Sequence, residues 1–371
     1  MNKNIDHKIL SWIFLVCLVG LCTNCAPTQD TLNEISTYPV TKGVSAPFAG
    51  FIGDRMFVGG GCNFPEIPAS EGGAKKFYRD AYFFDKESSS QQWIKTVPFP
   101  TAIAYGASVE TEKGLLCIGG MNEDSSLTSV YRVEVNDKAD GLTVNGLPSL
   151  PEPIDNAAAA SVGNVIYVTG GNQGNGGNSL YALRPGEDVT WEKLADYPGP
   201  KRIQPVLLGT DTALYLLGGF SVEAESKQAV ISSDYLVYEI AKDRWSEPQP
   251  IPTMSDGSPR AMVGCSGVRI DNKLVIAGGV NYAIFKSAVE GKAPQDYLKK
   301  PEAWYQFSKD LLIYDLNTST WKVIPEVEGM NKAGGCLLQN DGVLYMVCGE
   351  VKPGVRTSDI VSYQLPVENL K

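Results

Sequence analysis

One short pattern recurs six times and constrains this chain more than any other feature: an apolar run that ends on a pair of glycines. It reads Met56-Phe57-Val58-Gly59-Gly60, Leu116-Cys117-Ile118-Gly119-Gly120 and Tyr167-Val168-Thr169-Gly170-Gly171. It returns as Tyr215-Leu216-Leu217-Gly218-Gly219, Val275-Ile276-Ala277-Gly278-Gly279 and Tyr345-Met346-Val347-Cys348-Gly349, with cysteine in place of the last unit's first glycine. Between the final glycines the intervals are 60, 51, 48, 60 and 70 residues. A repeat of this period means that each unit is one supersecondary element, which buries its apolar face only by stacking on its neighbours.

The units continue alike. A variable loop leads to a tyrosine-bearing strand, at Asp80–Asp85, Ser129–Val135, Ser179–Leu183, Asp234–Ile240, Asp310–Asp315 and Asp359–Leu365. Trp93, Trp191, Trp245 and Trp321 then open an outermost strand in four units. This is a kelch repeat, whose period is about 50 residues, and each unit is a four-stranded antiparallel blade. The expected fold is all-β, a six-bladed kelch-type β-propeller, an arrangement that leaves only short, protected edges. Little chain follows the sixth tyrosine strand, so the N-terminal segment Leu32–Pro39 is expected to supply the fourth strand of blade 6 and close the ring.

Residues 1–24 read as an address. Lys3 and Lys8 precede an apolar run of about 13 residues, Ile9 to Leu21, shorter than the roughly 20 that span a bilayer core. Cys25, followed by Ala26-Pro27-Thr28, marks it as a lipoprotein signal in which Cys25 becomes the lipidated first residue; the alternative is plain cleavage. The expected domains are therefore this signal peptide (1–24) and one propeller (25–371), placed in the bacterial cell envelope as a periplasmic or membrane-anchored lipoprotein, with the lipid as its only membrane attachment. A formal net charge of −10 argues against nucleic acid, whose binding needs clustered cations. It also means that an anionic ligand must be captured by a local basic site. The single histidine is His7, inside the signal, so no histidine triad, Cys-His pair or histidine metal site can be built. Cys62, Cys117, Cys265, Cys336 and Cys348 read as buried free thiols rather than disulfides.

In a blade, the residues after the glycine pair and those before the innermost strand emerge on one rim. The first group is Asn63, Asn122, Asn172, Ser221, Asn281 and Glu350; the second is Tyr105, Asn156, Arg202, Arg260 and Lys332. Two insertions fall on this rim, Cys62–Arg79 and the aromatic stretch Asn281–Lys309, and the second is expected to form a packed, partly helical cap. In the last unit, Gly349-Glu350-Val351-Lys352-Pro353-Gly354-Val355-Arg356-Thr357 puts a carboxylate at the rim, followed by two cations. Arginine can grip a carboxylate in a two-point fork and glutamate can shuttle a proton; spacing alone equally allows a surface ion pair.

This segment resembles the Gly-Glu-x-Lys-Pro-Gly-x-Arg-Thr motif of the bacterial N-acetylneuraminate epimerases, or sialic acid mutarotases, and matches it in full. Glu71-Gly72 with Lys75-Lys76 and Tyr78, Gly278-Gly279-Val280-Asn281 with Ile284-Phe285, and Arg202 with Gln204 extend the resemblance. The blade holding Glu350 comes last here but mid-chain in the best-known members, so the chain resembles a cyclically permuted branch. The resemblance implies an isomerase that interconverts the α and β anomers of free N-acetylneuraminate by ring opening, with no metal or cofactor. Glu350 would be the acid/base, Arg356 would hold the substrate carboxylate with Arg202 assisting, and Lys75, Asn281 and Tyr105 would be rim contacts. Ile103 departs from the family, whose members have arginine there. The competing reading is a non-catalytic carbohydrate-binding or protein-interaction propeller. The repeated Ser-x-Asp-x-Gly-x-x-Trp boxes of sialidases are absent.

Overall fold

A computed structural model of the chain describes residues 35–366 except 89, 139 and 175; the signal segment and Cys25 lie outside them. Blade 1 is built from Phe48–Ile52, Arg55–Gly59, Ala81–Asp85 and Trp93–Lys95. Blade 2 comprises Ala107–Thr111, Gly114–Ile118, Val130–Val135 and Leu142–Gly146, and blade 3 Ala158–Val162, Val165–Thr169, Leu180–Leu183 and Glu192–Leu194. Blade 4 runs through Val206–Gly209, Ala213–Leu217, Asp234–Glu239 and Arg244–Trp245; blade 5 through Cys265–Ile270, Lys273–Gly278, Leu311–Asp315 and Thr320–Ile324. Blade 6 has Cys336–Asn340, Val343–Val347 and Ile360–Gln364. All pairings within the blades are antiparallel, and each innermost strand packs on the next, the last against the first. The apolar cores lie between successive blades: Phe48, Phe57 and Phe83 of blade 1, for example, pack with Leu115, Cys117 and Val133 of blade 2. Each such fully buried side chain contributes about 1.5–3 kcal/mol.

Hydrogen bonds tie each blade to the next. The second glycine of every pair donates its N–H to a carbonyl just before the next blade's innermost strand: Gly61 to Ile103, Gly120 to Ile154, Gly171 to Arg202, Gly219 to Met262, Gly279 to Lys332 and Gly349 to Val44, at 2.7–2.9 Å. In blade 1 the pair with this role is Gly60-Gly61, one residue later than the sequence pattern suggests. The glycines are needed for space as well as conformation. At Gly278, with φ +80°, an added Cβ would stand 2.4 Å from the Lys332 carbonyl oxygen.

The N-terminal segment closes the ring. In blades 1, 2, 3 and 5 the chain leaving the outermost strand donates an N–H to the carbonyl two residues before the third strand: Phe99 to Arg79, Leu150 to Thr128, Tyr197 to Asn178 and Val327 to Lys309. In blade 6 the equivalent bond is Tyr38 N–H to Ser358 O, at 2.9 Å. The tryptophans repeat the lesson. Trp191 and Trp245 donate their indole N–H to Pro148 and Ala195 of the preceding blade, and Trp93 donates to Ser36. Ser36 and Tyr38 thus take the places of an outer strand of blade 6. Residues 35–38 carry no strand pairing of their own, and 32–34 of the expected strand lie outside the described residues.

Tyr38 is 2 % exposed, with edge contacts to Tyr82 and Trp93 at 5.5 Å between ring centroids. Tyr38→Ala is expected to lower unfolding stability by about 3 kcal/mol or more, the range for truncating a buried aromatic. Urea melts of the two proteins check it, and a loss below about 1 kcal/mol would mean that this segment does not close the ring.

Candidate active site

The rim is organised by one residue per blade in the left-handed region. Ala46, Tyr105, Asn156, Gln204, Gly264 and Gly334 have φ of 50°, 60°, 52°, 54°, 68° and 61°. Five of the six successive pairs are joined by backbone hydrogen bonds: Ala46 N–H to Gly334 O, Tyr105 to Ala46, Asn156 to Tyr105, Gln204 to Asn156 and Gly334 to Gly264. Tyr105, Asn156 and Gln204 thus present side chains at the channel mouth. On the opposite arc two glycines leave room. A cavity of about 300 Å³ lies there, bounded by Ser45, Tyr105, Gln204 and Glu350 below and by Asn281, Tyr297 and other cap residues above. The channel beneath, about 520 Å³, is walled mostly by small residues of the innermost strands.

The cap is Asn281–Lys309, partly helical as expected, with helices Tyr282–Val289 and Glu302–Tyr305. It is pinned at both sides. Glu290 accepts from Ala229 N–H, Phe285 packs edge-on to Phe220, and Lys352 donates to the Lys300 carbonyl at 2.7 Å. Burial, with Tyr305 and Glu350 adding, pushes the Tyr297 hydroxyl up to about 12.

Local geometry explains the Glu350 motif. Glu350–Lys352 and Val355–Arg356 form a hairpin in which Lys352 opposes Val355 across Pro353-Gly354, and Glu350 opposes Arg356. Proline followed by a glycine at φ +82° is the signature of a type II turn. The turn pairs Lys352 with Val355, and a β-bulge at Val351 then shifts the register by one residue, so that carboxylate and guanidinium become cross-strand neighbours. Arg356 Nη2 lies 2.6 Å from Glu350 Oε1, Nε donates to Ser45 Oγ at 3.2 Å, and the guanidinium carbon sits 4.8 Å from the Phe64 ring centroid. Its buried Nη1 has no hydrogen-bond partner among the described residues. Burial raises the Glu350 pKa above the ordinary carboxylate value, opposed by Arg356 first, then by Lys75, Ser45 and the Gly354 N–H. Lys75, from the first insertion, donates to Tyr105 Oη at 3.0 Å, and Cys62 Sγ–H to the same oxygen at 3.4 Å.

Glu350, Arg356, Lys75 and Tyr105 are thus gathered in one cluster, in which Glu350 and Tyr105 line the cavity and Arg356, 8 % exposed, is buried behind them. Arg202 is not in the cluster. It is 2 % exposed, with Nη2 2.6 Å from Asp234 and Nη1 on the Gly218 carbonyl. Arg260 and Lys332 turn inward likewise, onto Asp310 and the Asp359 carbonyl. The reason is phase: Arg202, Ile103 and Lys332 carry the carbonyls that receive the glycine N–H, and the residue that reaches the mouth comes two positions later. Ile103 is fully buried in the core between blades 1 and 2, so its departure removes no contact from the cavity. Asn281 borders the cavity, but its oxygen caps the cap helix at Ile284 N–H and its amide donates to Gln306. Among the other rim asparagines, Asn63 and Asn172 brace backbone and Asp155. Ser45 and Gln204 line the cavity without having been singled out as site residues; the signal was their place just before an innermost strand.

An N-acetylneuraminate epimerase family model matches residues 147–371. The chain belongs to the N-acetylneuraminate epimerase family. It is similar to the N-acetylneuraminate epimerase of Salmonella enteritidis PT4 (strain P125109), 31% identical over 226 residues, 58% of this chain and 57% of that protein. The N-acetylneuraminate epimerase of Haemophilus influenzae (strain PittEE) is 30% identical over 226 residues, 57% of each chain. The match thus spans little more than half the length of these relatives. A solved structure described as that of YjhT superposes with a TM-score of 0.64 over 89% of this chain and 97% of that one, at 16% identity, a likeness of fold.

Arg202→Met is expected to lower stability by about 2–4 kcal/mol, since it strands Asp234 at the blade edge, and to leave Glu350 and its partners in place. Denaturant melts measure the loss; an unchanged melt would return Arg202 to the list of groups available to a ligand.

Proposed function

We propose that the protein equilibrates the α and β anomers of free N-acetylneuraminate. The observation that supports this best is Glu350, a carboxylate at the channel mouth whose pKa burial raises and whose position opposite Arg356 is fixed by hairpin register. The family and the names of its members supply the substrate class. The cavity of about 300 Å³ is at the small end of the usual range for small-molecule sites, about 300–1,000 Å³. Opening and reclosing a hemiketal moves protons without redox change, so the proposal needs no cofactor.

In the scheme Glu350 takes the proton of the anomeric hydroxyl, the bond to the ring oxygen breaks, and the open keto form recloses on its other face. The substrate carboxylate docks on Arg356. Nη1 has no partner among the described residues, but a two-point fork also needs Nη2, which now holds Glu350, so docking loosens the grip on Glu350. That grip is the largest influence holding the Glu350 pKa down, so substrate binding should raise it further and bring the group nearer the pH at which it exchanges protons efficiently. Sequence coverage of little more than half, beside a fold match over nearly the whole ring, is what a propeller cut between different blades would give, and supports the permuted reading. Cys25 is proposed as the lipidated residue of an envelope lipoprotein; Cys25→Ser should move the protein from the membrane fraction to the soluble one, and retention there would refute the anchor.

Proton NMR of freshly released α-N-acetylneuraminate tests the activity. Accelerated appearance of the β anomer is expected with the wild type, and a fall of about 10²-fold or more with Glu350→Gln, the scale of general acid–base catalysis. No acceleration by the wild type would favour a binding module. Since Glu350 must be ionised to accept a proton, activity should fall as pH drops through its raised pKa. The acid limb of kcat, which reports the complex, should lie at higher pH than that of kcat/KM, which reports the free protein.

A further inference from the structure

We infer that the Tyr105 phenol is the second proton-transfer group of this site, serving the sugar ring oxygen while Glu350 serves the anomeric hydroxyl, with Lys75 positioning and polarising it. The inference rests on the mutarotase reading above. It begins with a count of hydrogen bonds. Tyr105 Oη accepts from Lys75 Nζ at 3.0 Å; Cys62 Sγ, at 3.4 Å, can give its one proton to that oxygen or to the Ser45 carbonyl and can itself accept weakly. Among the described residues the thiol sulfur is thus the neighbour that could take the phenolic proton, and it is a poor acceptor. The phenolic O–H is therefore free to turn to a better acceptor, and Tyr105 borders the cavity that holds Glu350.

Its place is fixed. Tyr105 belongs to the left-handed rim ring at φ 60°, with its N–H on Ala46 O at 3.0 Å and its carbonyl receiving Asn156 N–H at 2.7 Å. The other polar groups around the cavity are committed or cannot titrate. Ser45 Oγ receives Arg356, Gln204 donates to Asn156, and Lys352 is bound to the Lys300 carbonyl. Tyr297 is the rival phenol, but it belongs to the cap and no cation among the described residues donates to its hydroxyl. Burial, with Cys62 and Glu350 adding, raises the Tyr105 pKa, so the group enters the reaction protonated.

The step balances. Glu350 carboxylate takes the anomeric O–H proton, that oxygen becomes the keto carbonyl, and the electron pair of the broken ring bond goes to the ring oxygen. Tyr105 protonates this oxygen and becomes a phenolate, stabilised by the ammonium of Lys75. On reclosure the chain hydroxyl returns its proton to the phenolate as it attacks the other face of the carbonyl, and Glu350 gives its proton back to the carbonyl oxygen. Both groups end as they began.

The test is anomer exchange of N-acetylneuraminate by the full-length protein, measured by NMR for wild type, Tyr105→Phe, Lys75→Met and Tyr297→Phe, with thermal melts as a folding control. Tyr105→Phe should lower kcat by about 10²-fold or more, within the range for general acid catalysis, with KM within about threefold. Lys75→Met should also act on kcat, since it withdraws the charge that stabilises the phenolate, and it decides the matter if Tyr105→Phe does not fold. A wild-type kcat in Tyr105→Phe, a Lys75→Met effect confined to KM, or a larger kcat loss in Tyr297→Phe would overturn the assignment while leaving the mutarotase reading intact. Failure of the wild type to accelerate exchange would overturn both.

Discussion

The molecule depends on one hydrogen bond made six times, from the second glycine of each repeat to the carbonyl that precedes the next blade's innermost strand. It fixes how far each blade rotates from the last, and it is made across the seam too, where Gly349 donates to Val44. A buried N–H without a partner costs about 1–3 kcal/mol, so each of these bonds constrains its neighbours. The same contact sets the rim. Two residues after the accepting carbonyl the chain turns left-handed, in all six blades, and that turn brings Tyr105, Asn156 and Gln204 to the channel mouth.

The repeat is structural, and the site arises where it is broken. In Glu350's place the other blades carry Cys62, Met121, Asn172, Phe220 and Val280, each following its glycine pair. Only blade 6 puts a carboxylate there, and its hairpin, through a turn followed by a bulge, places an arginine opposite. Two of the six rim residues are glycines, Gly264 and Gly334, and Gly334 lines the cavity beneath the cap. The cavity is thus a gap in the ring's own side chains, roofed by the longest insertion.

Electrostatics follow the same division. The chain is acidic overall, yet Arg356 and Lys75 both hold the Glu350 pKa down against burial. Cations elsewhere on the rim are spent on the blades: Arg202 on Asp234, Arg260 on Asp310. The Glu350 carboxylate borders the cavity with its guanidinium partner buried behind it, which leaves the group that must both hold and release a proton open to a ligand.

Much of this was legible in the sequence. Apolar runs ending on Gly-Gly, third strands that start within a residue of expectation (Ala81 for Asp80, Ile360 for Asp359) and Trp93, Trp191 and Trp245 determined the blades, their number and their order, because each rests on local periodicity and on backbone conformations that glycine supplies. The Lys352-Pro353-Gly354-Val355 turn is equally local, but by itself it would pair Val351 with Arg356; the bulge that brings Glu350 opposite Arg356 is a feature of the folded hairpin. What the tertiary structure decided is phase and company. Arg202 and Tyr105 both precede an innermost strand, yet one points into a blade and the other to the channel mouth, since a difference of two positions around a left-handed turn reverses direction. Lys75 meets Tyr105 because the blade 1 insertion folds over the start of blade 2; Ser45 meets Arg356 across 311 residues of chain because ring closure brings blade 6 against blade 1, and no spacing in a linear sequence records that meeting.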